Sequence, residues 1–250
     1  DRVTAGEALY DFTAPDGITH RVWVVWEEEQ MGIIRDTFAG MEQIYIADGH
    51  HRCASAVKVG LRRRENNSAH TGEEEYNFFL SVLFSAEELK ILDYNRVVKD
   101  LNGYEKDVFL EKIGEKFSVE CLGEKSYRPR KKYEYGMYLE GEWYRLTAHE
   151  EIRSKDAVEG LDVSILQDHL LAPVLGIGDP KTDRRIDFVG GIRGLEELER
   201  RVRTDMQVAF ALYPTSIYEL FNVADAGRLM PPKSTWFEPK LRSGLFIHTL

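Results

Sequence analysis

The chain has 250 residues, which at about 150 residues per domain allows one or two domains. With 43% hydrophobic, 11% aromatic and 30% charged residues, it has an ordinary globular composition, which excludes disorder, collagen-like repeats and a disulfide-built scaffold. Its 43 acidic and 33 basic side chains give a formal net charge of −10, which argues against a basic nucleic-acid-binding coat, and no apolar run approaches the length of a membrane span.

The two cysteines, Cys53 and Cys121, make no disulfide framework, so a reducing, cytoplasmic setting is expected. The first residues are Asp1-Arg2-Val3, with no initiating Met and no signal-peptide pattern. The expectation is a truncated chain or a proteolytic fragment.

In chain order, Leu9–Phe12 and Thr19–Trp26 flank Pro15-Asp16-Gly17 and read as two strands joined by a turn. A helix is expected from Glu27 to about Phe38, and Ile44–Ala47 reads as a short buried strand. That strand stops at Asp48-Gly49-His50-His51-Arg52. A helix of small residues, including Cys53, Ala54, Ala56 and Gly60, then suits close packing on a sheet. Residues 62–75 read as a helix end, with Arg62–Arg64 solvated, running into a mobile loop.

Phe78–Phe84 has the pattern of a strong strand, and residues 104–117 that of a helix with Phe109, Ile113 and Phe117 on one side. Asn95-Arg96 reads as a turn able to bind an acid group, and residues 133–147 as a hairpin about Glu140-Gly141. Val163–Leu175 is an amphipathic helix with Asp162 as its N-cap, and His169 within it is a packing residue. Ile186–Val189 and Val208–Tyr213 are strands, Leu195–Arg203 and Ser216–Asp225 helices, the tail Met230–Lys240 irregular, and Gly244–Ile247 a last strand. The interleaving gives an α+β class with mixed sheets and packed helices. A division into residues 1–150 and a C-terminal α+β region, 151–250, is expected.

The Tyr45–Arg52 segment carries the sharpest chemistry. A strand feeding a helix presents unpaired N–H groups and the positive end of the helix dipole, which together attract anions. Gly49 allows close approach to the backbone, and Arg52 can fork onto phosphate oxygens. His50 and His51 add donors or acid–base groups, and Asp48 can orient an imidazole, hold Mg²⁺ or accept a hydroxyl proton. A competing reading has Asp48, His50 and His51 bind Zn²⁺ or Fe²⁺, although adjacent histidines converge on one ion with difficulty and Arg52 repels it. Cys53 at this helix start reads as a packed residue. The Pro-stiffened tail, with Lys233, Ser234 and Thr235, suits either phosphate binding or an ordinary surface loop.

The Tyr-Ile-Ala-Asp-Gly-His-His-Arg octapeptide resembles the signature of a bacterial and archaeal family of unknown function, domain-of-unknown-function family 1015. So do Asp16-Gly17 with His20–Trp23, Leu161–Leu166, and Met230-Pro231-Pro232-Lys233-Ser234-Thr235. That resemblance implies a longer protein with a further N-terminal region. More distantly, the turn resembles the phosphate-binding motif of the ParB/sulfiredoxin-like fold, whose members include free serine kinases.

The resemblance implies a strand–turn–helix nucleotide site in which Asp48 is the catalytic or metal-orienting acid and Gly49, His50, His51 and Arg52 cradle phosphate. The sulfiredoxin cysteine position is Gly49 here, which argues against sulfinic reductase activity, and the kinase's upstream catalytic acid has no assignable counterpart. The leading reading is a small-molecule phosphotransferase using ATP or ADP with Mg²⁺ on serine or phosphoserine. In it, Asp48, His50 and His51 are catalytic, and Lys233, Ser234 and Thr235 assist phosphate binding. The alternatives are a non-catalytic nucleotide- or phosphometabolite-binding regulator and a metal-dependent phosphatase or hydrolase. Neither nucleic acid nor membrane is an expected partner.

Overall fold

In the computed structural model, which describes residues 2–249, the chain divides into two compact units, Asp1–Ile46 and Ala47–Leu250.

In the first unit, β1 (Tyr10–Thr13) and β2 (Thr19–Val22) form an antiparallel hairpin with Tyr10 opposite Val22 and Thr13 opposite Thr19. The expected turn chemistry holds. Gly17 takes φ +81°, and Asp16 Oδ1 accepts the Ile18 N–H at 3.1 Å. Asp11 and Arg21 pair across the strands at 3.0 Å. Helix α1 (Glu28–Ala39) follows as expected. Ile44–Ala47 does not form the expected strand, and Ile44 and Ile46 are exposed. An apolar run is compatible with a buried strand, but a strand also needs a partner backbone, and none among the described residues pairs here.

The second unit is organised by a six-stranded sheet of order β5-β7-β6-β9-β4-β8, every neighbouring pair antiparallel. Its strands are β4 (Tyr94–Val98), β5 (Phe117–Gly123), β6 (Glu134–Leu139), β7 (Glu142–Ala148), β8 (Ile186–Gly190) and β9 (Val208–Leu212), so strands from both sides of residue 150 share one sheet. A short β3 (Lys90–Leu92) pairs separately with β10 (Trp236–Glu238). The α+β class is as expected. Among the described residues, no helix is long and apolar enough to cross a membrane.

The alternation of strand side chains divides the core in two. On one face Val98, Tyr135, Met137 and Phe210 join Phe109 and Ile113 of α3 (Lys106–Gly114), and Leu166 of α4 (Asp162–Leu166) with Leu170 of the π-helical turn Gln167–Leu171 that continues it. On the other face Val97, Tyr138, Trp143 and Ala209 pack with Leu198 of α5 (Gly194–Thr204). The β6–β7 hairpin turns at Glu140 (φ +47°) and Gly141 (φ +86°), as the sequence indicates. Helix α6 (Ile217–Asp225) starts with a capping box between Ser216 and Glu219.

Four further expectations are corrected. Phe78–Phe84 is unpaired, and Phe78, Leu80 and Val82 are about half exposed, so its strand-like composition finds no partner. Gly244–Ile247 is likewise no strand, and Ile247 is 79% exposed. The tail is not wholly irregular, because Trp236–Glu238 forms β10. Asn95 and Arg96 lie in the middle of β4, not in a turn. The small-residue helix, α2 (His50–Glu65), forms as expected but buries only Gly60, so it does not lie on the sheet.

Asp162 is also not an N-cap. Leu161 occupies that position, and the Asp162 carboxylate accepts the Tyr133 N–H at 2.9 and 3.2 Å. Burial drives its pKa up to about 7, against the opposing Tyr133 N–H and the charge of Lys132. The folded state therefore keeps a proton that the unfolded chain releases near pH 3.8, and stability falls as pH rises through that interval. Urea unfolding of wild type and Asp162→Asn at pH 5 and pH 8 should show their stability difference changing by roughly 2–3 kcal/mol, with wild type losing more at pH 8. A pH-independent difference would contradict the assignment.

Candidate phosphate-binding site

Helix α2 begins at His50, with Gly49 as N-cap in the left-handed region at φ +85°, ψ +24°. That conformation favours glycine, and a Cβ at position 49 would meet the Arg52 guanidinium at 3.0 Å. The first intrahelical bond runs from the Cys53 N–H to the Gly49 carbonyl at 2.9 Å. The preceding N–H groups of His50, His51 and Arg52 lie in the turn that an α-helix leaves without internal acceptors, and no side chain caps it.

Arg52 folds back over Gly49, so its fork lies beside the helix N-terminus, where backbone donors and dipole already favour an anion. His50, His51 and Arg52 are exposed. Asp48 Oδ1 accepts the Gly49 N–H at 2.7 Å, and Oδ2 pairs with Lys240 Nζ at 3.2 Å. Burial alone would raise the Asp48 pKa. The Gly49 N–H, the Lys240 hydrogen bond and charge, and the charge of Arg52 outweigh it and hold the carboxyl below its ordinary value. Asp48 is thus an ionised acceptor at neutral pH.

Lys240 is the site residue the sequence reading left out. It ends the Pro-containing tail, but nothing local identifies its partner 192 positions away. Its placement comes from β10. Trp236–Glu238 pairs with Leu92–Lys90, Trp236 lies against Gly190, and Glu238 accepts both the Trp236 indole N–H (2.7 Å) and the Lys240 N–H (3.1 Å). Lys240 Nζ then sits 5.3 Å from the Trp236 ring centroid.

The other three tail residues are held differently. Lys233, at φ +55°, places Nζ 5.7 Å from the Tyr94 ring centroid. The buried Ser234 donates its hydroxyl to the Pro231 carbonyl, and its own carbonyl accepts from Thr215 at 3.3 Å. Thr235 is half-buried beside it. The tail therefore reaches the turn through Lys240. Cys53 is half-buried and free, and Cys121 is exposed and free. Among the described residues, no group of three or more His, Cys, Asp or Glu side chains is arranged to hold a metal ion.

The family described as protein of unknown function, DUF1015, matches residues 1–164, which include the whole turn. The chain belongs to this family. No curated protein matches it. Among solved structures it is similar to a free serine kinase variant in complex with AMP (13% identity, 86% of this chain and 81% of that one, TM-score 0.43) and to another in complex with ADP (16% identity, the same coverage, TM-score 0.42). It is also similar to a conserved hypothetical protein from Pyrococcus furiosus at 16% identity, covering 79% of this chain and 71% of that one, with a TM-score of 0.37.

Replacing Lys240 with Ala removes two of the influences that keep Asp48 ionised. A carboxyl titration followed by NMR should place Asp48 below the ordinary aspartate range in wild type and move it upward in Lys240→Ala. An unchanged titration would contradict the ion pair.

Proposed function

We propose that the Asp48–Arg52 turn binds the phosphate groups of a nucleotide, and that the protein is a nucleotide-dependent phosphotransferase acting on a small hydroxyl-bearing molecule. Serine and phosphoserine are the first candidates, and ATP or ADP the donor or acceptor. The reading rests above all on one observation, the uncapped N-terminus of α2 opening from a left-handed Gly49 with the Arg52 guanidinium folded over it.

The roles follow from what phosphoryl transfer demands, which is positioning and charge stabilisation. Open N–H groups and Arg52 hold phosphate oxygens. His50 and His51, exposed at the same helix start, donate to the transferring group. Asp48, held ionised, positions the acceptor hydroxyl and receives its proton. Of the tail, Lys240 is the residue that meets the turn, and the Ser234 hydroxyl, given to the Pro231 carbonyl, has no donor left for phosphate. Asp48 also fits Mg²⁺, which is commonly held by one or two carboxylates with substrate phosphates and water as the other ligands. Mg²⁺ would supply neutralisation of phosphate charge.

One observation favours a second reading, a non-catalytic nucleotide- or phosphometabolite-binding regulator. Asp48 is already paired with Lys240, and a carboxylate held below its ordinary pKa is a weak base.

The two readings separate in one experiment. Thermal unfolding with Mg²⁺ and ATP or ADP should show stabilisation of wild type. Arg52→Ala should bind roughly tenfold or more weakly, as expected for loss of a charged hydrogen bond. Turnover with serine that falls by about 10² or more in Asp48→Asn supports the phosphotransferase. Nucleotide binding without turnover supports the regulator, and no nucleotide-dependent stabilisation of wild type contradicts the phosphotransferase and a nucleotide-binding regulator alike.

A further inference from the structure

Arg96 lies in the middle of the sheet, where a charge is least expected. On β4 it stands opposite Phe188 of β8 and Phe210 of β9, and it is 4% exposed. Its guanidinium donates to the Tyr94 carbonyl and sits 5.3 Å from the Phe188 ring centroid. Among the described residues, no carboxylate forms an ion pair with it. A buried cation without a counter-charge is destabilising, and proteins ordinarily pair such groups or use them to bind a ligand.

Arg96 borders an opening. It lines a cleft of about 440 Å³ together with Val163, Ser164, Gln167, Pro231 and Pro232. That volume is in the range of small-molecule sites. No buried side-chain nitrogen or oxygen among the described residues lacks a hydrogen-bond partner. A guanidinium has five N–H donors, and the hydrogen bond to the Tyr94 carbonyl engages only Nη1, so Arg96 keeps donor capacity where it lines the cleft. Ser164, 7% exposed, adds a hydroxyl to the same lining.

The other charges in the lining sit nearer solvent and are partly committed. Both oxygens of Asp156 lie 2.7 Å from Arg228 Nη1, and Asp179 accepts the Lys181 N–H at 2.9 Å. Glu159 and Asp168 are exposed. The lining thus combines a buried guanidinium and a hydroxyl with exposed acidic and basic groups, while the Gln167 amide is committed to the Ile177 carbonyl at 2.6 Å. Burial pushes the Arg96 pKa down to about 10, opposed by the neighbouring tyrosines, so the group stays charged at neutral pH.

We propose that this cleft binds the oxyanion group of a small metabolite, a carboxylate or a phosphate monoester, with Arg96 as its charged anchor and the Ser164 hydroxyl as a second donor. The ligand supplies the counter-charge that the fold lacks. This site uses none of the residues of the Asp48–Arg52 turn and does not depend on what that turn binds.

The test is thermal unfolding of the full chain at constant ionic strength, titrating inorganic phosphate or glycerate against a chloride baseline. Saturable stabilisation that persists in Arg52→Ala and weakens in Arg96→Met identifies the cleft ligand's anion as a phosphate group when phosphate is the probe and as a carboxylate when glycerate is. Arg96→Met should raise the half-saturating concentration at least about tenfold, as loss of a charged hydrogen bond implies. Without ligand it should be as stable as wild type or more so. Ser164→Ala should weaken binding severalfold and carries the test if Arg96→Met fails to fold. Arg52→Ala should leave the response intact, which separates this site from the turn. The proposal is overturned if neither anion stabilises wild type, if folded Arg96→Met responds like wild type, if Ser164→Ala leaves half-saturation unchanged, or if Arg52→Ala abolishes the response.

Discussion

Long-range backbone pairing in the central sheet positions the core and the Arg96 cleft, and a buried polar seam fixes part of that pairing. Asn95, fully buried on β4, accepts the Leu212 N–H at 2.9 Å across 117 positions of sequence and donates to Asp93 at 2.6 Å. Asp93 in turn accepts from Arg128 at 2.7 Å, and its carbonyl takes the Gly191 N–H at 2.7 Å. Buried polar groups are costly unless satisfied, so such a network tolerates one register and penalises slips. The same register carries Arg96 onto the face that opens to the cleft, one residue beyond the seam.

What the sequence made legible was local. The Pro15–Gly17 and Glu140-Gly141 turns need particular φ values and carry residues that supply them. The Ser216–Glu219 capping box marks its own helix. The helix start at Gly49 follows from the same kind of signal, so the core of the candidate site could be read directly. Ile44–Ala47, Phe78–Phe84 and Gly244–Ile247 have strand-like residues, but composition does not supply a pairing partner. Arg96 and Asp162 differ from their local sequence signals for a related reason. A lone Arg after Asn resembles a turn, and an Asp before an apolar run resembles a cap, until tertiary contacts bury both. Lys240 was hidden because its role depends on β10 docking against β3.

Two anion-attracting features of different design therefore occur in one compact unit. At the turn, charge is assembled on the surface from backbone donors, a helix dipole and exposed side chains, and Asp48 is balanced by Lys240. In the cleft, one guanidinium is held in a low-dielectric setting, where each interaction is stronger and an unmet one more costly. The first suits phosphates that arrive and leave with their counter-ions, and the second suits selection of a small ligand by shape and charge.

Phosphate binding at the N-terminus of α2 is open to direct observation. Backbone amide chemical shifts, followed by NMR as ADP and Mg²⁺ are added, test it most directly. Saturable shifts should concentrate at Gly49, His50, His51 and Arg52, with a common binding constant that weakens in Arg52→Ala. Saturable shifts elsewhere in the chain, with these four amides unmoved, would contradict it.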